Sequence, residues 1–161
     1  MTTPKKIELI ARALIFRDGK VLVCRSVEAG HCYLPGGHVE PGESAHDALI
    51  REMDEEAGAI VRVGDLALIQ EHRFQQGGRE RHEINLVFHV ELANGQSEVI
   101  SREREIAFEW VQPSDLAQAG FVPADLLDAI KFLALGAERP DAMNRSFRPT
   151  AAFLSAAGPN H

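Results

Sequence analysis

The chain has 161 residues and a mass of 17.7 kDa, which is the size of one globular domain. Hydrophobic residues make up 45% of it and charged residues 25%, proportions that are ordinary for a soluble protein with its own core. Seventeen basic and 24 acidic residues give a net charge of −7. This balance argues against DNA or RNA as a partner, because binding a polyanion needs clustered cations.

The two cysteines, Cys24 and Cys32, are too few for a disulfide framework, and their spacing is not that of a structural zinc site. Free thiols in a reducing compartment are the expectation. No segment approaches the roughly 20 apolar residues that span a bilayer, and the N-terminus does not fit a signal peptide. We therefore predict a cytoplasmic protein without membrane association.

The N-terminal part predicts a β-hairpin followed by an irregular loop. Apolar residues from Ile7 to Phe16, a turn at Arg17–Lys20 and a second apolar run at Val21–Cys24 are typical of two paired strands. From Ser26 to Glu43 the chain is rich in Gly, Pro, His and Glu, which no regular element tolerates for long.

A helix is predicted from Ala45 to Ala57. Ser44 is a natural N-cap, and Gly58 stands where a glycine would end the helix in the left-handed conformation. At 3.6 residues per turn, its inward face should carry His46, Leu49, Ile50, Met53 and Ala57.

The second half of the chain is predicted to contain three strands and a helix, over 60–74, 83–92, 106–111 and 122–135. A turn at 75–78 should join the first two strands as a second hairpin, and Gly136 should stop the helix. This mixture of hairpins and helices indicates an α+β fold. We predict one domain over 1–136 and a C-terminal tail, 137–161, that is mobile or docked on the domain or a partner.

Three carboxylates share one side of the predicted helix. At about 100° per residue, Glu52, Glu55 and Glu56 fall on one arc. Like charges four residues apart cost a helix roughly 0.2–0.5 kcal/mol, and Arg51 alone cannot neutralise three acids. Oxygen ligands grouped in this way suit Mg²⁺ or Mn²⁺. The alternative is a solvated acidic helix face that binds nothing.

The loop before the helix favours a binding site. Pro35-Gly36-Gly37 lets the backbone approach a ligand closely. Loop and helix together fit the spacing G-x5-E-x7-R-E-U-x-E-E-x-G-U, where U is an aliphatic residue, at Gly37, Glu43, Arg51, Glu52, Glu55, Glu56 and Gly58. Seven such residues coincide by chance on the order of once in 10⁸ start positions. The segment Gly37–Ala59 thus resembles the signature of the Nudix hydrolases, with Ala59 standing where the family prefers a bulkier aliphatic residue.

The resemblance implies an α/β/α sandwich around a mixed β-sheet, and a hydrolase that cleaves a nucleoside diphosphate linked to another moiety. It implies that Mg²⁺, or Mn²⁺ in its place, is bound by Glu52, Glu55, Glu56 and the carbonyl of Gly36. Gly37 and a Glu43–Arg51 pair would orient the site, with Glu55 and Glu56 among the catalytic residues.

The family takes its general base either from the helix or from a later loop acid, so this role stays open. Four glutamates precede or accompany Trp110, namely Glu98, Glu103, Glu105 and Glu109. We prefer Glu105 by similarity to family members with a loop acid, with Glu103 close behind and Glu109 already inside the strand. A charged, solvated connection without a catalytic role is the alternative.

Arg25, Glu40 and Arg73 are the candidates for substrate contact. The stretch Arg73–Gln75 shows neither the proline nor the tyrosine that marks two of the family's subgroups, which favours a nucleoside triphosphate or related nucleotide over ADP-ribose. A nucleotide-sensing module without turnover and an RNA-end pyrophosphohydrolase are the alternatives. The expected partner is thus a small nucleotide, and the sequence is compatible with a homodimer.

Overall fold

The computed structural model describes residues 6–93 and 98–137 with their side chains, and residues 152–155 by their backbone alone. Within these ranges the chain forms, in order, β1 (Ile7–Leu14), β2 (Phe16–Arg17), β3 (Lys20–Ser26), β4 (Cys32–Tyr33), β5 (Gly36–His38), α1 (Ala45–Ala57), β6 (Val61–Gln76), β7 (Arg79–Leu92), β8 (Ile106–Val111), α2 (Leu127–Ala137) and β9 (Ala152–Ser155). Short 3-10 turns occur at Pro113–Asp115 and Ala124–Leu126. Most of the predicted tail lies outside the described residues.

The strands form a larger mixed sheet and a smaller antiparallel one. The larger sheet has the order β5-β1-β7-β6-β9, in which β1 runs parallel to β7 and antiparallel to β5. In the same sheet β6 and β7 are antiparallel, and β9 runs parallel to β6. The smaller sheet joins β2, β3 and β4, with β8 also paired to β3.

Apolar side chains cover both faces of the larger sheet. On one face Met53 of α1 packs with Ala13 and Phe88. On the other face Ile130 of α2 packs with Leu14. The neighbours Ala13 and Leu14 belong to opposite cores because successive side chains of a strand point to opposite faces. The predicted α+β fold, with a helix on each side of a mixed sheet, is confirmed.

The first predicted hairpin is wrong in its partners. Of the first predicted strand, within its described residues only Phe16 extends into the two-residue β2 that pairs with β3, across a tight turn in which Asp18 and Gly19 have φ values of 50° and 72°. The longer strand β1 lies between β5 and β7 instead. Its residues from Ile10 to Leu14 are buried apart from Arg12, and such a run is stable where helices cover both faces of the sheet.

The helix predicted over Ala45–Ala57 is confirmed as α1. Its N-terminus is capped by Ser44, whose Oγ accepts a hydrogen bond from the backbone N–H of Asp47 at 3.0 Å. Gly58 ends the helix with φ 58°, and its N–H donates to the carbonyl of Asp54 at 2.7 Å.

The inward face of α1 differs from the prediction at two positions. Ile50 is 45% exposed and His46 is also exposed, its ring resting edge-on against Phe88 with 4.8 Å between the centroids. Ala48 is fully buried instead. Its methyl group lets the helix approach the sheet closely, which turns the two longer side chains toward solvent. Beyond the helix Ala59 is only 1% exposed, so the small residue itself fills the core position.

Two element boundaries in the second half were also predicted wrongly. The hairpin of β6 and β7 is longer than expected because charged side chains pair across it, as in the 2.8 Å contact of His82 with Glu71. The second helix begins at Leu127, since the N–H of Val122 donates instead to the carbonyl of Cys32 at 2.8 Å and a short 3-10 turn follows at Ala124–Leu126. Gly136 lies inside this helix, because one glycine costs only about 1 kcal/mol and does not end a helix by itself.

None of the helices in the described ranges has the length and apolar content that crossing a membrane requires. The longer of the two α-helices, α1, has 13 residues and carries the acidic side described above. The two cysteines are free, as predicted, and both are buried. Cys24 is paired with Tyr33 and Cys32 with Arg25, so the two thiols point to opposite faces of the smaller sheet.

Candidate active site

The three glutamates of α1 differ in their exposure to solvent. The side chain of Glu55 is 56% exposed, whereas that of Glu52 is 17% exposed. Glu56 is partly buried, and its Oε2 atom is both shielded from solvent and without a hydrogen-bond partner. The same side of one helix therefore carries carboxylates that range from solvated to buried.

Arg51 joins these carboxylates to the loop before the helix. Its Nη2 and Nε atoms lie 2.7 Å and 3.2 Å from the two carboxylate oxygens of Glu43. Its Nη1 donates to Glu52 at 2.9 Å and to Glu55 at 3.3 Å, and its Nη2 also donates to the carbonyl of His38 at 3.0 Å. The hydrogen bonds from Arg51 lower the pKa of Glu43. The bidentate pair therefore stays charged and ties the loop to α1.

Two glycines of β5 allow close approach at this site. Gly36 has φ +131°, and a Cβ atom there would lie 2.0 Å from the carbonyl oxygen of Ala11 on β1. At Gly37 a Cβ atom would lie 2.4 Å from the carboxylate carbon of Glu52. The first glycine thus lets the strands pair, and the second leaves the space that the Glu52 carboxylate occupies.

Burial strongly affects the pKa of Glu56. The pKa of Glu56 is raised to about 7, first by desolvation and then by the negative charges of Glu52 and Glu103, while Arg12 acts in the opposite direction. A carboxylate in this environment is costly to ionise unless a positive charge lies beside it.

The loop that leads into β8 lies against the C-terminal end of α1. Val99 is buried in the core beneath that helix. The backbone N–H of Arg102 donates to the carbonyl of Glu56 at 2.7 Å, and its Nη1 donates to the carbonyl of Asp54 at 3.0 Å. A loop of mixed charge is therefore anchored beside the carboxylates.

Of the loop acids predicted as the general base, Glu103 has a charge close enough to raise the pKa of Glu56. The side chain of Glu105 is exposed, and its backbone carbonyl accepts a hydrogen bond from Val27 at 2.9 Å. Glu109 lies within β8 and pairs with Arg25 at 2.9 Å, in agreement with its predicted place in the strand. The choice between Glu103 and Glu105 stays a prediction.

The oxygen atoms of Glu52, Glu55 and Glu56 are the kind of ligand that a divalent cation such as Mg²⁺ prefers. As they stand, no three His, Cys, Asp or Glu side chains in the described part of the chain are grouped to hold a metal ion. Arg51 pairs with both Glu52 and Glu55. The donors are nevertheless all oxygen, as Mg²⁺ and Mn²⁺ prefer. The unpaired Oε2 of Glu56 is an acceptor that needs a donor or a cation.

Arg25, a predicted substrate contact, is held by the protein itself. Its Nε donates to Glu109 at 2.9 Å, and its Nη1 donates to the carbonyls of Gly30 and Ala119. The pKa of Arg25 is raised, first by the hydrogen bond to Glu109. These contacts join β3, β8 and the segment before α2, so the residue has a structural role in this conformation.

The other two predicted substrate contacts are exposed. Glu40 donates its backbone N–H to Glu43 at 2.8 Å. Arg73 on β6 is 64% exposed at its side chain and lies 2.5 Å from Glu71. Among the described residues no contact joins Arg25, Glu40 and Arg73 to one another. The structure therefore does not gather them into one cluster.

A row of polar side chains crosses the sheet on the α2 side and was not predicted. Arg12 Nε donates to Asn85 at 3.2 Å, Asn85 donates to Gln70 at 3.3 Å, and Gln70 donates to Asp125 at 2.5 Å. Gln70 is fully buried and Asn85 is 3% exposed. The sequence did contain one signal for this row, because the charged Arg12 interrupts the apolar residues of β1. The residues that Arg12 contacts are known only from the fold.

The same row reaches the glycine-rich loop. Arg12 Nη1 donates to the carbonyls of Leu34 and Gly36 at 3.2 Å and 3.4 Å. Its guanidinium also lies 5.5 Å from the centroid of the Tyr33 ring. Burial lowers the pKa of Arg12, and nearby negative charges, Glu83 first, raise it. A partly buried cation therefore supports the backbone of the glycine-rich loop.

Replacing Gly37 with alanine should weaken metal binding while leaving the fold intact. The added methyl group would displace the Glu52 carboxylate, a flexible side chain that can move away without disturbing the backbone. We expect Mg²⁺ affinity to fall by about 10- to 100-fold, as for other changes that misplace a ligand. Calorimetric titration with Mg²⁺, together with the melting temperature, checks this. Unchanged affinity would contradict the role of Gly37.

The metal-compatible carboxylates, the glycine-rich loop and the sandwich fold together define a class of hydrolase. A family model described as the NUDIX domain matches residues 7–130. The chain therefore belongs to the Nudix hydrolase family, as its sequence predicted.

Relatives and solved structures agree with this assignment. The chain is 36% identical over 140 residues to the CTP pyrophosphohydrolase of Escherichia coli, a match that covers 84% of this chain and 98% of that protein. It is 37% identical over 117 residues to the nucleoside triphosphatase NudI of Escherichia fergusonii, covering 65% and 82% of the two chains.

Among solved structures, the E. coli ORF135 protein is similar with a TM-score of 0.60 and 34% identity, covering 84% of this chain and 94% of that one. The MutT protein of Methanosarcina mazei has a TM-score of 0.64 and 27% identity, covering 90% of this chain and all of that one. The family generally uses divalent metal ions.

Proposed function

We propose that this chain is a Mg²⁺-dependent hydrolase that cleaves the pyrophosphate bond of a nucleoside diphosphate linked to another moiety, most directly a nucleoside triphosphate. The observation that carries the proposal is the buried, unpaired Oε2 of Glu56 near the charge of a second carboxylate, because leaving such an acceptor unpaired is costly and a bound cation would satisfy it. The relatives named CTP pyrophosphohydrolase and nucleoside triphosphatase support the choice of a triphosphate.

Glu52, Glu55, Glu56 and the carbonyl of Gly36 would hold Mg²⁺, with Mn²⁺ as a substitute. When bound, the ion offsets phosphate charge and makes an attacking water more acidic. The residues of the chain supply the geometry. The Glu43–Arg51 pair keeps the loop on α1 and so orients the ligands, as outer partners of metal sites do.

A carboxylate of the loop before β8 would accept the proton of the attacking water. The resemblance favours Glu105, whereas the proximity of the Glu103 charge to Glu56 favours Glu103. We propose Glu103 as the general base and keep Glu105 as the alternative. Both are exposed, as a group that exchanges protons with solvent should be.

Three matched glutamate-to-glutamine variants separate these candidates. Glu103→Gln should lower kcat by about 10²- to 10⁴-fold, the usual contribution of a general base, because an amide cannot accept the proton. Glu105→Gln should lower kcat less, and Glu98→Gln, which is exposed at the start of the same loop, should not change it. The reverse order of Glu103 and Glu105 would return the role to Glu105. Small, equal losses in all three would place the base on the helix.

Two further expectations concern location and partners. The free, buried thiols of Cys24 and Cys32 support a reducing compartment, and we propose that the protein is cytoplasmic. The exposed residues Glu40 and Arg73 remain candidates for substrate contact. The net charge of −7 argues against nucleic acid as a partner, and a homodimer stays a prediction.

Product analysis tests the proposed function. The purified chain is incubated with Mg²⁺ and a panel of nucleoside triphosphates, nucleotide sugars, dinucleotides and ADP-ribose, and the products are identified by mass. We expect a nucleoside monophosphate and pyrophosphate from at least one triphosphate. Binding without turnover of any compound would instead identify a nucleotide-sensing module. Turnover only of ADP-ribose would overturn the choice of substrate.

A further inference from the structure

We infer that Arg102 is a positioning residue for the reaction, because it fixes the loop before β8 to the C-terminal end of α1 and so holds Glu103 beside Glu56. The inference rests on the proposed hydrolase function and deepens it. Arg102 lies outside the signature motif, 44 positions after its Gly58.

Arg102 supplies a positive charge and two hydrogen-bond donors to the C-terminal end of α1. The last turn of the helix contains no basic residue, although Glu55 and Glu56 place two negative charges there, where the helix dipole is also negative. The Arg102 backbone N–H donates to the Glu56 carbonyl at 2.7 Å, and Nη1 donates to the Asp54 carbonyl at 3.0 Å. Both carbonyls belong to the last turn, whose carbonyls lack the full set of intrahelical donors. The Asp54 carbonyl also accepts from the Gly58 N–H at 2.7 Å, so Arg102 adds a second donor there. The cation and two donors therefore come from another segment of the chain.

Gly58 provides the space for this contact. A Cβ atom at Gly58 would lie 2.3 Å from Nη2 and 2.6 Å from Cζ of Arg102. Two independent reasons therefore favour glycine at this position. Its φ of 58° is left-handed, and a side chain there would collide with the Arg102 guanidinium. Gly58 of the motif and Arg102 of the loop are therefore in contact where the helix meets the loop.

A short turn fixes the position of Glu103 relative to Arg102. Ser101 Oγ accepts a hydrogen bond from the Glu103 N–H at 3.0 Å and donates to the Glu103 carbonyl at 2.8 Å. Val99 is buried in the core just before this turn. Since both flanks of Arg102 are held in this way, displacement of Arg102 would displace Glu103 relative to Glu56.

A double-mutant cycle tests the inference. Arg102→Ala should lower kcat by about 10- to 100-fold with little change in KM, because a small misplacement of a reacting group has effects of this size. Arg102→Lys should recover part of the loss, since it keeps the charge but not the forked donor geometry. The double variant with Glu103→Gln should be no slower than Glu103→Gln alone, because both changes act through one carboxylate.

Hydrogen exchange gives a readout that does not depend on activity. The amide of residue 102, bonded to the Glu56 carbonyl, should exchange faster in Arg102→Ala than in the unmodified protein. Arg104→Ala is the matched control, since Arg104 is an exposed residue of the same loop. It should leave both kcat and the exchange rate unchanged. If Arg102→Ala does not fold, Arg102→Lys carries the same comparisons.

The outcomes are distinct. Faster exchange with unchanged kcat would show that Arg102 only caps the helix, and would overturn the inference. Losses that multiply in the double variant would overturn it as well, because Arg102 would then act independently of Glu103. An unmodified protein that turns over no nucleotide would overturn the proposed function and this inference with it. Turnover by the unmodified protein together with full activity of Arg102→Ala overturns the inference alone.

Discussion

Glu56→Gln should lower the Mg²⁺-dependent kcat by about a thousandfold, since loss of a metal ligand removes several kcal/mol of transition-state charge stabilisation. The Glu56 carboxylate has a buried Oε2 atom with no hydrogen-bond partner among the described residues. An amide in its place has the same shape but a weaker oxygen ligand. Steady-state kinetics with a nucleoside triphosphate, and calorimetric titration with Mg²⁺ alone, measure the two parts of this effect.

A control of the same chemistry is available on β7. Glu91 is 71% exposed, and within the described ranges its ion pair is with the exposed Arg62. Glu91→Gln should leave kcat, Mg²⁺ affinity and the melting temperature unchanged, because exposed ion pairs contribute little to stability. Full Mg²⁺-dependent turnover by Glu56→Gln would remove Glu56 from the metal site and with it the main support for the proposed function.

Gly36→Ala should be the most damaging single change to the fold at the site. The new methyl group would lie 2.0 Å from the carbonyl oxygen of Ala11, a backbone atom of the neighbouring strand that cannot move aside independently. The φ of +131° is also one that residues other than glycine rarely adopt. Backbone strain and overpacking together should lower the free energy of unfolding by about 2–6 kcal/mol. Urea unfolding followed by circular dichroism measures it.

Gly42→Ala separates the two causes. Gly42 also has a positive φ, +90°, but a Cβ atom there would have no heavy atom within 4 Å. This variant should lose about 1–3 kcal/mol from strain alone. Equal losses in the two variants would mean that the contact between Gly36 and Ala11 contributes nothing, and that strand pairing adjusts around the methyl group.

Local signals were sufficient for α1. Ser44 at its start and Gly58 at its end act within one turn of the helix, so their effects are encoded by neighbours in sequence. The orientation of the helix was predicted less well, because burial of Ala48 in place of Ile50 depends on how closely the sheet approaches. Periodicity gives an apolar side, and packing decides which residues at its margin are covered.

Strand pairing was likewise predicted where it is local in sequence and missed where it is not. The β6–β7 hairpin was predicted because its strands are joined by a short turn and its pairing is local. The parallel pairing of β1 with β7 joins residues about 75 positions apart, as in Ile7 with His82, and no local signal specifies it. Apolar residues on both faces of a strand indicate that the strand is buried, but they do not specify which strands it pairs with.

The sequence by itself determined the family, the carboxylates of α1 and the glycines beside them, because they lie within one continuous segment at fixed spacing. Tertiary structure decided which loop acid raises the pKa of Glu56, how Arg12 reaches the Gly36 carbonyl and which cation contacts the end of α1. The physical reason is distance along the chain. Contacts such as that of Arg102 with Asp54 depend on the path of two strands between them, and that path is set by packing of the whole sheet.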